Sequence, residues 1–173
     1  MRTEKLGNMY ENQTRLLRGR PLLILDYENI AGGPNFKADD REAARDAGLV
    51  YKLLVDICSL DHLSGQTIVG MSRYSLKRWM TSMPYSQVQL VVGDGPSGAD
   101  RALIDAVDTN HVASRFDSVI IASGDHIFAS LAKDLRVRGL QVCNVTSSRA
   151  QSSPKLAQEC NFHVYLKVGR RAK

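Results

Sequence analysis

Hydrophobic positions in this chain gather into short runs separated by amphipathic stretches. PLLILD, at Pro21–Asp26, is a continuous apolar run ended by a carboxylate, and continuous rather than alternating hydrophobicity marks a strand buried on both faces. It predicts a central strand. From Asp39 or Asp40 to about Ser59 the pattern becomes helical, with an acidic start, no proline, and Ala43, Ala47, Val50, Leu54 and Ile57 at helical spacing. QTIVGMS then reads as a second strand, SLKRWMTSM as a short helix, VQLVVGD as a third strand, and the residues from about Asp100 to Val112 as a helix. DSVIIASGD is a fourth strand, HIFASLAKDLRVRG a helix with Gly139 at its C-cap, and LQVCNVT a fifth strand. SSPKLAQEC and FHVYL close the series as a helix and a terminal strand.

Strand and helix alternate from end to end, which predicts an α/β fold of three α/β/α layers around a mainly parallel sheet of about five to six strands. Residues 1–20 form a basic lead-in carrying Arg15, Arg18 and Arg20, residues 21–166 the domain, and residues 167–173 a basic tail. Composition agrees with a packed domain. With 43% hydrophobic and 24% charged residues, the 173-residue chain is neither disordered, collagenous nor coiled coil. No apolar run approaches the ~20 residues that span a bilayer, and the first residues hold no apolar stretch of a secretory signal, so a cytoplasmic location is expected. Cys58, Cys143 and Cys160 lack CxxC spacing and read as buried thiols. The 23 Lys and Arg against 18 Asp and Glu leave a net charge of +5, which favours an anionic partner such as nucleic acid without deciding it.

The chemistry should lie at the carboxyl ends of the strands, where open parallel sheets bind their ligands. Three strands run into an aspartate, at Asp26, Asp94 and Asp125, and Asp100 begins the helix after the third. Aspartates also favour strand ends and N-caps, where they accept from backbone N–H groups. Four converging carboxylates, however, repel one another unless protons or a hard divalent cation offset their charge, and Mg²⁺ or Mn²⁺ suits hydrolysis of a phosphodiester. Asp26, Asp94, Asp100 and Asp125 are therefore the expected metal ligands. Asp105 and Asp108 read as solvent-side charges, since Asp105 lies about 140° around the helix from Asp100.

Three segments carry a family resemblance: DYEN at Asp26–Asn29, GDGPSGADRAL at Gly93–Leu103, and ASGDHIFASL at Ala122–Leu131. Together and in this order they resemble the NYN domain, one of the PIN-like group of metal-dependent ribonucleases, over about Pro21 to Leu166. The resemblance implies a PIN-like fold with catalytic carboxylates at Asp26, Asp100 and Asp125, and a pocket shaped by Asn29 and Ser123. It also implies hydrolysis of RNA with Mg²⁺ or Mn²⁺. One position departs from the family: many relatives read SGDxDF, and here the second acidic position is Ile127, which counts against a second metal. His126 beside it reads as a surface residue.

Other signals are weighed against these. Gly93, Gly95 and Gly98 match G-x-G-x-x-G, yet the match follows the third strand, and Asp94 and Pro96 stand where pyrophosphate needs donors, so no dinucleotide cofactor is expected. The N–H groups of Gly98 and Ala99 remain a candidate phosphate contact. Arg73, Lys77 and Arg78 interleave with Tyr74 and Trp79, which makes this segment the best candidate for RNA contact, with Trp79 equally readable as core. Arg149, in the loop after the fifth strand, is a further candidate. The scattered histidines and the lack of a GxSxG elbow exclude a triad hydrolase. The reading is a metal-dependent ribonuclease whose partner is RNA, with no membrane and room for a homodimer. Its competitors are an RNA-binding module with lost catalysis and, third, a phosphatase using Asp26 as nucleophile, which would want an aspartate where Glu28 stands.

Overall fold

The computed structural model describes Leu17 and residues 19–31, 51–52, 54–56, 65–79, 88–146 and 152–166; the side chains of Ala31 and of residues 77–79 are outside that description. Six strands form one sheet: β1 (Pro21–Asp26), β2 (Gln66–Met71), β3 (Val88–Val92), β4 (Ser118–Ala122), β5 (Gln141–Thr146) and β6 (Phe162–Tyr165). Every pairing is parallel and the spatial order is β3-β2-β1-β4-β5-β6. This is the α/β architecture that the alternating pattern predicts. The helices are α1 (Tyr27–Ala31), α2 (Arg73–Trp79), α3 (Gly98–Asp105), α4 (Thr109–Arg115), α5 (Ala129–Val137) and α6 (Pro154–Gln158). Tyr51, Lys52 and residues 54–56 are also helical, within the segment where the sequence predicts the helix after the first strand; the rest of that segment lies outside the described residues.

The sheet order reverses beside β1, because the chain goes from β1 outward through β2 and β3 and then crosses to β4 on the other side. Such a reversal opens a crevice at the carboxyl ends of the two central strands. Registers place Asp26 opposite Gly70 and Leu25 opposite Ala122, so Asp26 stands level with the residue just past β4. Side chains of a strand alternate between faces, and the two cores follow that alternation. Leu23, Leu25, Val69, Met71, Ile120 and Val145 join Tyr27 and Ile30 on one face. Leu22, Ile24, Ile68, Val119, Ile121 and Val142 join Leu103, Phe128, Leu131 and Leu135 on the other. Asp26 shares its parity with Leu22 and Ile24 and so belongs to the face that α3 covers.

Leu17 is buried in the first core, and the Arg20 backbone exchanges hydrogen bonds with Asp117, at 2.7 Å to its side chain and 2.9 Å to its N–H. The structure corrects two helix boundaries. The helix expected from Asp100 to Val112 is two helices. Asp108 ends the first run by capping α4, its carboxylate accepting from the N–H groups of Asn110 and His111, a local bond that competes with helix continuation. Likewise a 3₁₀ turn at His126–Phe128, capped by Asp125, precedes α5. Of the cysteines, Cys143 is buried and Cys160 half-buried with its thiol pushed up to about 12 by burial, while Cys58 lies outside the described residues. No described helix is long and apolar enough to cross a membrane.

Candidate active site

The site grows from Asp26, a carboxylate only 4% exposed at the end of a central strand buried along its length. Its two oxygens are held separately: Oδ2 accepts from Ser123 Oγ at 2.8 Å and Oδ1 from the Asn29 backbone N–H at 3.2 Å. Burial pushes its pKa up from 3.8 to about 7; the Ser123 hydrogen bond opposes the rise and the negative charge of Asp100 adds to it. Asp100 reaches the same place from α3, where it follows the buried Ala99 and is bonded to Asp26 through their side chains. Its pKa is also raised, first by burial and then by the charge of Asp125, with hydrogen bonds to Asp26 and Ser97 opposing. With Asp26 buried and Asp100 half-buried beside it, ionising both is unfavourable, since each negative charge opposes the other.

Asp125 is placed by the turn after β4. Ser123 Oγ accepts from the Asp125 N–H at 3.1 Å while donating to Asp26, Asn29 Oδ1 accepts from the Gly124 N–H at 2.8 Å, and the Gly124 carbonyl accepts from the Ser153 N–H at 3.0 Å. Beneath the turn, buried Asn144 on β5 donates to the carbonyls of Ile121 at 3.0 Å and Ser123 at 2.7 Å. These bonds hold the loop by backbone and short side chains, so its carboxylate is pre-positioned at little entropic cost. Replacing Asn144 by Leu removes both donors and leaves two carbonyls buried without them. We expect a loss of about 2 kcal/mol or more in urea unfolding, together with a weaker effect of Asp125 on the site.

The structure brings Asp26, Asp100 and Asp125 together, with Asn29 and Ser123 as the groups that orient them. Asp94 differs from them: its exposed carboxylate pairs with Arg73 at 2.9 Å, because β3 is an edge strand and its terminus opens to solvent. Tyr74 is 58% exposed next to that pair. Lys77 and Arg78 fall on α2 with side chains outside the description, and Arg149 lies outside the described residues. The Gly98 N–H is spent on the Gly95 carbonyl at 3.0 Å, which removes it as a phosphate donor. His126 pairs through Nδ1 with Asp125 Oδ1 at 2.9 Å and is exposed. Ile127 packs against the second core.

Sequence reasoning overlooked Glu28. Its Oε1 accepts from the Ser72 N–H at 3.2 Å and from the hydroxyls of Ser72 and Ser75, and its charge reaches both Asp26 and Asp100. Only its spacing of two from Asp26 pointed to it, and its partners are more than 40 residues away in sequence.

Among the described residues no three His, Cys, Asp or Glu side chains are assembled as a ready-made metal cage. The donor chemistry still fits Mg²⁺ or Mn²⁺. Magnesium keeps several waters and needs only one or two carboxylates, and the Asp26–Asp100 pair is an all-oxygen set whose mutual repulsion a cation can offset.

Comparison with known proteins places the chain further. Residues 67–167 match the model of the NYN domain family. A crystal structure of a protein of unknown function from Vibrio parahaemolyticus RIMD 2210633 superposes with a TM-score of 0.52 at 15% identity, over 87% of this chain and 94% of that one. That likeness concerns the fold alone. No curated protein matches the chain.

Proposed function

The chain belongs to the NYN domain family, with its PIN-like, nuclease-type fold, and from that premise we propose that it is a divalent-metal-dependent ribonuclease acting at the Asp26–Asp100 pair. The observation that carries the proposal is this pair of adjoining carboxylates, buried Asp26 and half-buried Asp100, in the crevice where the sheet order reverses. A buried carboxylate held near neutrality is costly for stability and finds its use where charge must be exchanged. Asp26 and Asp100 would hold Mg²⁺ or Mn²⁺, with Asp125 close enough for its charge to be felt by Asp100. A bound divalent cation supplies a water of lowered pKa and offsets the charge of a phosphodiester.

The remaining work falls to the chain itself. Ser123 and the Asn29 N–H fix the two Asp26 oxygens, so the carboxylate cannot rotate away from Asp100. Below about pH 7 the metal-free pair retains its proton; once ionised, it is a doubly negative oxygen donor set. Activity is therefore expected to rise as pH increases toward neutrality.

The test is incubation of the purified chain with end-labelled single-stranded RNA in Mn²⁺, Mg²⁺ or excess EDTA, alongside Asp100→Asn. Cleavage that requires metal and falls about 100-fold or more in the variant supports the ribonuclease. RNA that is bound and left intact by both proteins supports an RNA-binding module instead, a reading to which Ile127 in its apolar contact lends some weight.

A further inference from the structure

Beside the carboxylates lies a second constellation with no part in holding them. β2 ends opposite Asp26, at Gly70 and Met71, and the chain turns at Ser72 directly into α2. Glu28, two residues past Asp26, grips that turn from below through Ser72 and Ser75, and Ser72 Oγ accepts from the Ser75 N–H at 3.3 Å. The start of α2 is thus bolted to the strand that carries the central acid. The first two residues it presents are Arg73, its side chain 77% exposed, and Tyr74, 58% exposed.

An exposed aromatic beside an exposed cation offers a ring face and a guanidinium on one surface. A base stacked on the ring and a phosphate on the guanidinium would cover both, and the net charge of +5 favours that kind of partner. Duplex RNA offers no unstacked base, so the feature selects single strands. Asp94 then gains a role that the strand-end argument did not foresee. It holds the Arg73 guanidinium at 2.9 Å in a fixed orientation, in an exposed pair weak enough to yield to phosphate.

We propose that the start of α2 is a single-strand-binding arm, in which Tyr74 stacks a base, Arg73 takes a backbone phosphate, Asp94 orients Arg73, and Glu28 positions the arm beside the carboxylates. The arm rests on the ribonuclease reading for its purpose, though its binding can be measured without cleavage. Tyr74 and Arg73 are substrate-contacting residues, and Glu28 and Asp94 are positioning residues.

The experiment is fluorescence anisotropy of a labelled 12-nucleotide single-stranded RNA in EDTA, at several salt concentrations, with a blunt duplex of the same sequence for comparison. Tyr74→Ala is expected to raise the single-strand Kd about tenfold and Tyr74→Phe to restore it, since the ring alone stacks. Arg73→Gln should weaken binding and reduce the salt slope by about 0.7, the value for one phosphate on a single strand. Duplex affinity should change little in each case. In Mn²⁺, Glu28→Gln should raise KM for the single strand more than it lowers kcat, and thermal unfolding of each variant separates displacement of the arm from loss of the fold. Unchanged single-strand Kd and salt slope in both Tyr74→Ala and Arg73→Gln would overturn the arm, as would equal losses on duplex. Failure of the wild-type chain to cleave would overturn the ribonuclease reading alone, because the binding measurements stand without it.

Discussion

Asp26→Asn is expected to abolish RNA cleavage and, at the same time, to make the metal-free protein more stable. The two effects have one cause. Asp26 sits 4% exposed with its pKa raised from 3.8 to about 7, so the folded chain retains a proton that the unfolded chain releases. Linkage then sets the sign: the contribution of Asp26 to stability is fully present below about pH 4, falls as pH rises from about 4 to about 7, and is flat above. At pH 8 this costs the folded state a few kcal/mol. Asparagine keeps the shape and an oxygen for the Asn29 N–H, and Ser123 can turn its hydroxyl to accept instead, while the titration disappears. Urea unfolding in EDTA at pH 5 and pH 8 should show the wild type weakening between the two and the variant weakening less, since Asp100 keeps a pKa raised by its own burial. Added Mg²⁺ or Mn²⁺ should raise the wild-type Tm at pH 8 and leave the variant where it was. Metal-assisted hydrolysis is worth several kcal/mol, so cleavage should fall on the order of 10³-fold. A variant less stable than wild type at pH 8, or still responsive to metal, would remove Asp26 from the centre of the site.

Gly93→Ala is the second large effect, and it acts on the site through backbone alone. A Cβ at Gly93 would lie 1.9 Å from the Gly98 carbonyl oxygen and 2.7 Å from the Ala99 nitrogen, atoms that cannot turn aside. The loop must open, and α3 shifts with it. Asp100 is in the first turn of that helix, so its bond to Asp26 goes too. The expected cost is about 3 kcal/mol in unfolding, with cleavage reduced at least as far as in Asp100→Asn.

Gly70 provides the control. A Cβ there would lie 2.2 Å from Leu103 Cγ and 3.1 Å from the Ala99 carbonyl, so the main obstacle is a side chain. Gly70→Ala should cost about 1–3 kcal/mol, and trimming Leu103 to Ala in the same chain should recover part of the lost activity. The same second change cannot help Gly93→Ala. Equal rescue of both, read by kcat on single-stranded RNA, would show that backbone contact at Gly93 does not set the position of α3.

The same glycines show how far the sequence could be read. G-x-G-x-x-G was legible as a motif, yet its purpose was not. Gly93 allows the loop to close on Gly98, and Gly95 supplies a backbone φ of +78° for the turn between them. Neither requirement leaves a trace in hydrophobic pattern. The helix boundary at Asp108 failed for a related reason: a side chain capping its own backbone competes with helix continuation, and periodicity does not register that competition.

The sequence alone determined what depends on near neighbours and on period. Continuous apolar runs specified strands buried on both faces, their alternation with amphipathic segments specified a parallel sheet, and the rule that such sheets work at their carboxyl edge singled out Asp26, Asp94, Asp100 and Asp125 as candidates. Only the tertiary structure decided which carboxylates meet. Strand order makes β1 central and β3 an edge, so Asp26 is buried against α3 while Asp94, identical in its local signal, reaches solvent and binds Arg73. The raised pKa of Asp26 and the grip of Glu28 on Ser72 and Ser75 are likewise products of that order, because burial and contacts across more than 40 residues arise from packing and are not encoded in any one segment.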